Sequence, residues 1–294
     1  MTTDMEGASP ALCRLQLGSE LRQLRLAAGL KGAQVVKRLL WSPSKLTRLE
    51  TGENTSVETA DVMALCEIYG ADRERREVLL SYAAVTKTRR DWWLTPEYRT
   101  VLKPGFKAFL DLEDAAERMQ TYENAYIPGL LQSADYVRAL HQRSDREWSA
   151  DECERIVEIR LARQAVLNRE LGPLRYQAII DEAALRRQVG EPSVMRGQLA
   201  HVVEVAQSVP NVRVQVLPFR AGAHMGMSGP FIVFQFPDRL GVKPLVYQEH
   251  LAGALVARDD ANLKRFGNAF SYLQALALGP HESIDFIKQA IKEH

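Results

Sequence analysis

The sequence predicts an α+β protein: an N-terminal all-helical head of about five helices, then a mixed domain with a small, mainly antiparallel sheet and covering helices. Three observations carry this reading. Between residues 14 and 86, apolar side chains recur at spacings of three and four, punctuated by Gly29, Gly52 and Gly70. Beyond residue 170 come short runs rich in Val, Ile and Phe, and one of them, Val212 to Val216, alternates with Arg213 and Gln215 as a half-buried strand does. At 294 residues, the chain is long enough for two domains.

The elements follow in order. Residues 1–13 are small and polar and read as a flexible arm. Leu17, Leu21, Leu24 and Ala28 share one helical face, and Gly29 stops that helix. A second helix spans Gly32 to Leu39 and a third Ser42 to Thr51, where Ser42 is an N-cap and Pro43 fits the first helical position. Val57 to Tyr69 and Asp72 to Thr86 complete the head, placed at 14–86. Residues 87–105 hold two prolines, a Trp pair and a cluster of cations, and are expected to connect the domains, with Trp92 and Trp93 as packing anchors. In the second domain, 106–294, helices are expected over Phe106 to Tyr122, Ser133 to His141, Asp151 to Glu170, Asp181 to Gln188 and Pro192 to Ser208, and twice more near the C-terminus. Strands are expected over Leu174 to Ile180, Val212 to Val216, Phe231 to Phe236 and Leu245 to Glu249.

Charge is distributed unevenly. The net charge is only +1, yet Arg14 to Gly52 carries eight cations against two anions, which points to an electrostatic task for that end. The three cysteines lie far apart and form no CxxC or Cys/His spacing, so no metal site is expected and the chain suits a reducing, cytoplasmic setting. No basic stretch followed by an apolar run opens the chain, and no apolar run is long enough for a membrane span. No cofactor is expected.

The third predicted helix is the most informative element. Leu46 and Leu49 face a core, leaving Ser44, Lys45, Thr47 and Arg48 outward, an arrangement suited to a DNA major groove. Pro43 has no side-chain donor and can pack on a thymine methyl, and Arg48 can pair with guanine. Ser42, Ser44 and Thr47 can bond a base or a phosphate, while Lys31, Gln34, Lys37, Arg38 and Lys45 are expected to hold the sugar–phosphate backbone. The competing role for Arg48 is a salt bridge to Glu50 or Glu53; Glu50 itself is expected to bond Arg22 or Arg25.

Residues 17–30, LGSELRQLRLAAGL, and 42–52, SPSKLTRLETG, together resemble the phage-repressor-like (XRE) helix-turn-helix class. Downstream, Tyr122-Glu123, Ile127 to Gln132, Tyr136, Arg160 to Gln164, Asp181 to Leu185, Val189-Gly190, Gln198-Leu199, Val214 to Pro218, His224 and Tyr247 to Glu249 resemble the C-terminal domain of a large actinobacterial group of regulators, the WhiJ-like family. The resemblance implies a dimeric transcriptional regulator of development or specialised metabolism, a repressor by expectation. It also implies a small partner protein encoded nearby, in an antitoxin-like or regulator–antiregulator couple. The chain departs from the helix-turn-helix pattern at Gly32, Val36 and Leu40, where the class usually has Gln, Ala and Gly.

In the second domain, residues 220–229 form a glycine-rich loop holding His224 and Ser228, neither a GxSxG elbow nor a phosphate loop. Catalysis is not expected there. Met225 and Met227 suit an adaptable apolar contact with a partner or ligand. Tyr247 and Glu249 are candidates to line a pocket, and Arg160 and Arg163 to pair with acids of this domain or of an acidic partner. Three readings stay open: a DNA-binding regulator sensing a partner protein, the same head with a small-molecule sensor, and an enzyme with a helical appendage.

Overall fold

A computed structural model describes residues 10–52, 54, 56–87, 95–99, 101–102, 104–142, 148–169, 172–238, 242–250 and 253–294. Trp92, Trp93 and Glu53 lie outside the described residues. The chain divides into two compact units, the first built on residues 1–94 and 106–115, the second on 95–105, 116–237 and 243–294.

The first unit holds α1 (Pro10–Ala27), α2 (Gly32–Leu39), α3 (Pro43–Thr51), α4 (Thr59–Tyr69), α5 (Arg73–Val85) and, later in the chain, α7 (Pro104–Ala115). Residues 10–13, expected in the arm, belong to α1, which begins at Pro10 and buries Cys13; the rest of the expected arm lies outside the described residues. Helix α7, expected in the second domain, joins this unit, where Asp111 forms a nearly buried ion pair of 2.6 Å with Arg14 of α1. Sequence patterning separates elements by position along the chain; here a charge pair links residues almost a hundred positions apart. The core is made of Leu17 and Leu21 from α1, Val35 from α2, Leu46 and Leu49 from α3, Val62 and Leu65 from α4 and Leu79 from α5. Capping sets the boundaries: Ser42 accepts the Lys45 N–H, Asp72 accepts the Arg75 N–H, and Gly52 and Gly70 close α3 and α4 in the left-handed region.

The second unit centres on a six-stranded mixed sheet in the order β3 (Val212–Leu217), β2 (Arg175–Asp181), β1 (Arg118–Glu123), β4 (Phe231–Gln235), β5 (Leu245–His250), β6 (Gly253–Ala257). β1–β2 and β2–β3 are parallel, and β1–β4, β4–β5 and β5–β6 are antiparallel. Tyr122, Ile179, Leu217, Phe231, Val233 and Val246 pack with Phe270 and Leu273 of α12 (Asp260–Leu276). The other helices of this unit are α6 (Pro96–Arg99), α8 (Ala134–Gln142), α9 (Ala150–Arg163), α10 (Glu182–Arg186), α11 (Pro192–Ser208) and α13 (Pro280–Glu293).

Two expectations are corrected here. The helix over Phe106 to Tyr122 ends at Ala115, and Arg118–Glu123 is the strand β1, paired on both sides. Met119 and Tyr122 lie three apart, a helical spacing that puts them on opposite faces of a strand, and the partner strands override it. The helix expected to reach Glu170 stops at Arg163 and continues as a 3₁₀ turn over Gln164–Leu167. The strand β6 had no counterpart in the sequence reading, since five residues opening on glycine carry little pattern.

Candidate nucleic-acid interface

α2 and α3 form the helix-turn-helix, and their bounds follow the sequence closely. The corner is made by Leu40, at φ 54°, a positive value shared by no other non-glycine residue among those described. It stands 92% exposed. The position needs a left-handed backbone, which glycine would supply without strain, and the chain supplies leucine instead.

α3 is held by three devices. Gly18 of α1 lets the helices touch, since a Cβ there would lie 2.4 Å from the Leu49 carbonyl oxygen. Arg25 of α1 forms a bidentate pair with Glu50, at 2.6 and 2.8 Å, and also donates to the Leu30 carbonyl. The expected Arg25 partnership is thus present, and hydrogen bonding to Glu50 raises the Arg25 pKa further. Lys45 is the third device. Its Nζ lies 2.9 Å from Asp61 of α4 and 4.0 Å from the centre of the Trp41 ring, so its charge links α3 to α4 at a partly exposed site.

The remaining expected contacts lie on the surface. Lys31, Gln34, Lys37, Arg38, Ser42, Pro43, Ser44, Thr47 and Arg48 are all exposed. Gln34 is partly committed, because its carbonyl oxygen accepts the Lys31 N–H at 2.7 Å and fixes the start of α2. Ser42 and Ser44 share a hydrogen bond of 3.1 Å. The Thr47 hydroxyl donates to the Pro43 carbonyl at 3.1 Å, and that of Thr51 donates to the Thr47 carbonyl at 3.0 Å. Among the described residues no ion pair engages Arg48. Glu50, one of its two suggested partners, is taken by Arg25. The sequence reading missed the Trp41–Lys45–Asp61 clamp and the hydroxyl commitments; a Thr followed by another four residues later on an exposed helix face is the local signal for the second.

In the second unit the loop over residues 219–229 is tethered at three points. The Phe219 N–H donates to Glu182 at 2.8 Å, the His224 Nε2 lies 3.5 Å from Asp181, and Gly226 sits against the Tyr122 ring, where a Cβ would lie 2.6 Å from ring carbons. Tyr122 also donates to Asp181, at 3.3 Å. His224 is thereby 7% exposed at its side chain, whereas Met225 and Met227 are 51% and 68% exposed. Ser228 is exposed, and among the described residues no hydrogen bond joins it to His224. Tyr247 is buried, while Glu249 is exposed. Arg163, 4% exposed, lies inside this unit, and together with Arg160 it approaches Gly129; an acidic partner therefore does not reach Arg163 in this conformation. Strand alternation places Glu123, Tyr247 and Glu249 on one face of the sheet. Burial first, and then Glu249, push the Glu123 carboxyl up to about 8 against the opposing pull of Arg160.

Residues 16–79 match the family model of a helix-turn-helix domain, and residues 106–289 match that of a domain of unknown function, DUF5753. No curated protein and no solved structure matches the chain. The helix-turn-helix domain supports a DNA-binding regulator. Among the described residues no helix is long and apolar enough to cross a membrane.

Proposed function

The chain belongs to the DUF5753 family and carries a helix-turn-helix domain ahead of that domain, and on this premise we propose that it is a sequence-specific transcriptional regulator of the XRE-like, WhiJ-like kind. It acts on the chromosome in the cytoplasm, as a repressor, and uses no catalysis. The observation that carries the reading is the outward face of α3, where Arg48 stands exposed and unengaged by Glu50 on a helix fixed to its core from three sides. A rigid helix with one free guanidinium is what direct readout in a major groove requires. Lys31, Lys37 and Arg38 supply backbone contacts. One head covers a half-site, so two copies reading half-sites about 34 Å apart are expected.

The second unit receives the signal. Met225 and Met227 are held out on a loop whose backbone is tethered to buried side chains, which favours contact with a small partner protein over capture of a metabolite. The antitoxin-like couple is one form this takes.

The test is a mobility-shift titration of the full chain on duplex selected by genome-wide mapping. Arg48→Ala is expected to lose discrimination between that duplex and an unrelated one while keeping its circular dichroism and melting curve. Unchanged discrimination would remove Arg48 from the interface. Met227→Glu is expected to leave DNA binding intact and abolish co-purification of the neighbouring gene product.

A further inference from the structure

The hydrogen bonds on α3 narrow what this helix can read. Lys45 is bound to Asp61 and lies over Trp41. The Ser42 oxygen accepts the Lys45 N–H and shares a hydrogen bond with Ser44. The Thr47 hydroxyl donates its proton to the Pro43 carbonyl, one turn back, and the Thr51 hydroxyl repeats the pattern on Thr47. Pro43 has no donor at all. Among the described residues, Arg48 is therefore the one charged donor exposed on α3 with no side-chain commitment. Beside it, Pro43 and Thr47 stand one above the other at i and i+4, offering ring methylenes and a methyl group.

Resting on the DNA-binding reading above, we infer that α3 reads its half-site as one guanine, through Arg48, flanked by thymines whose C5-methyl groups lie against Pro43 and Thr47. The hydroxyl of Thr47 serves the helix and not the base. Thymine is the base that carries a methyl group in the major groove, so an apolar stripe beside a guanidinium selects T next to G without any further hydrogen bond.

Selection of bound sequences from a randomised duplex library by the full-length protein supplies the half-site. Each thymine beside the key guanine is then replaced by deoxyuridine, which removes only the methyl group. Affinity is expected to fall roughly fourfold per buried methyl. Thr47→Val, which keeps the methyl and lacks the hydroxyl, should bind as the natural protein does. Thr47→Ser, which keeps the hydroxyl, should bind more weakly and become indifferent to deoxyuridine at one position. A selected half-site without thymine beside guanine, equal affinity for thymine and deoxyuridine, or a Thr47→Val protein that fails where Thr47→Ser succeeds would each overturn the inference while leaving DNA binding in place. Failure to enrich any sequence, with no duplex binding at low salt, removes the DNA-binding reading itself and this inference with it.

Discussion

Leu40 carries two local costs at once, a left-handed backbone and a fully solvated apolar side chain. The left-handed region costs a leucine about 1–2 kcal/mol, and glycine returns part of that through its greater unfolded-state freedom. Leu40→Gly is therefore expected to stabilise the protein by about 0.5–1 kcal/mol, read as a higher urea midpoint with an unchanged slope. Glu123 shows the opposite situation, a half-buried acid facing a like charge on Glu249. Its carboxyl is raised from the ordinary 4.5 to about 8, so between those values the folded protein holds a proton that the unfolded chain has lost. Stability should fall as pH rises through that window. Glu123→Gln, neutral throughout, is expected to flatten the decline and to melt higher than the natural protein at pH 9. An unaltered pH profile in the variant would show that another group governs the slope.

At the scale of elements, α3 is positioned by what its neighbours lack as much as by what they carry. Gly18→Ala puts a methyl into the Leu49 carbonyl, and backbone cannot yield as a flexible side chain does. The substitution is expected to cost about 1–3 kcal/mol and to weaken operator binding beyond that loss by tilting α3. Glu50→Ala leaves Arg25 enclosed without its carboxylate partner, and is expected to cost about 3 kcal/mol in thermal or denaturant unfolding. The bounds of α2, α3 and α11 were legible in the sequence because caps, glycine stops and a 3.6-residue period agreed there. Strand β1 was not legible: Met119 and Tyr122 are three apart, a helical spacing, and its identity as a strand comes from β2 and β4 on either side. Of the candidate interface, the exposure of Arg48 and its neighbours was readable from amphipathicity. The engagement of Lys45 was not, since Asp61 approaches it only once α3 and α4 are packed.

For the whole molecule, a nearly neutral chain concentrates its excess cations in residues 14–52, so binding should depend on salt more steeply than a net charge of +1 suggests. Removing Lys37 and Arg38 together is expected to reduce the slope of log affinity against log salt by about 2, with sequence preference retained. Lys45→Ala should lower stability slightly as well, because it also removes the partly exposed ion pair with Asp61. The sequence by itself determined the α+β class, the helix-turn-helix and the outward face of α3, because these follow from periodicities and caps spanning a few residues. Tertiary structure alone decided which cations of the head are paired, where α7 packs and which loop side chains are held in solvent, because each depends on partners distant in the chain.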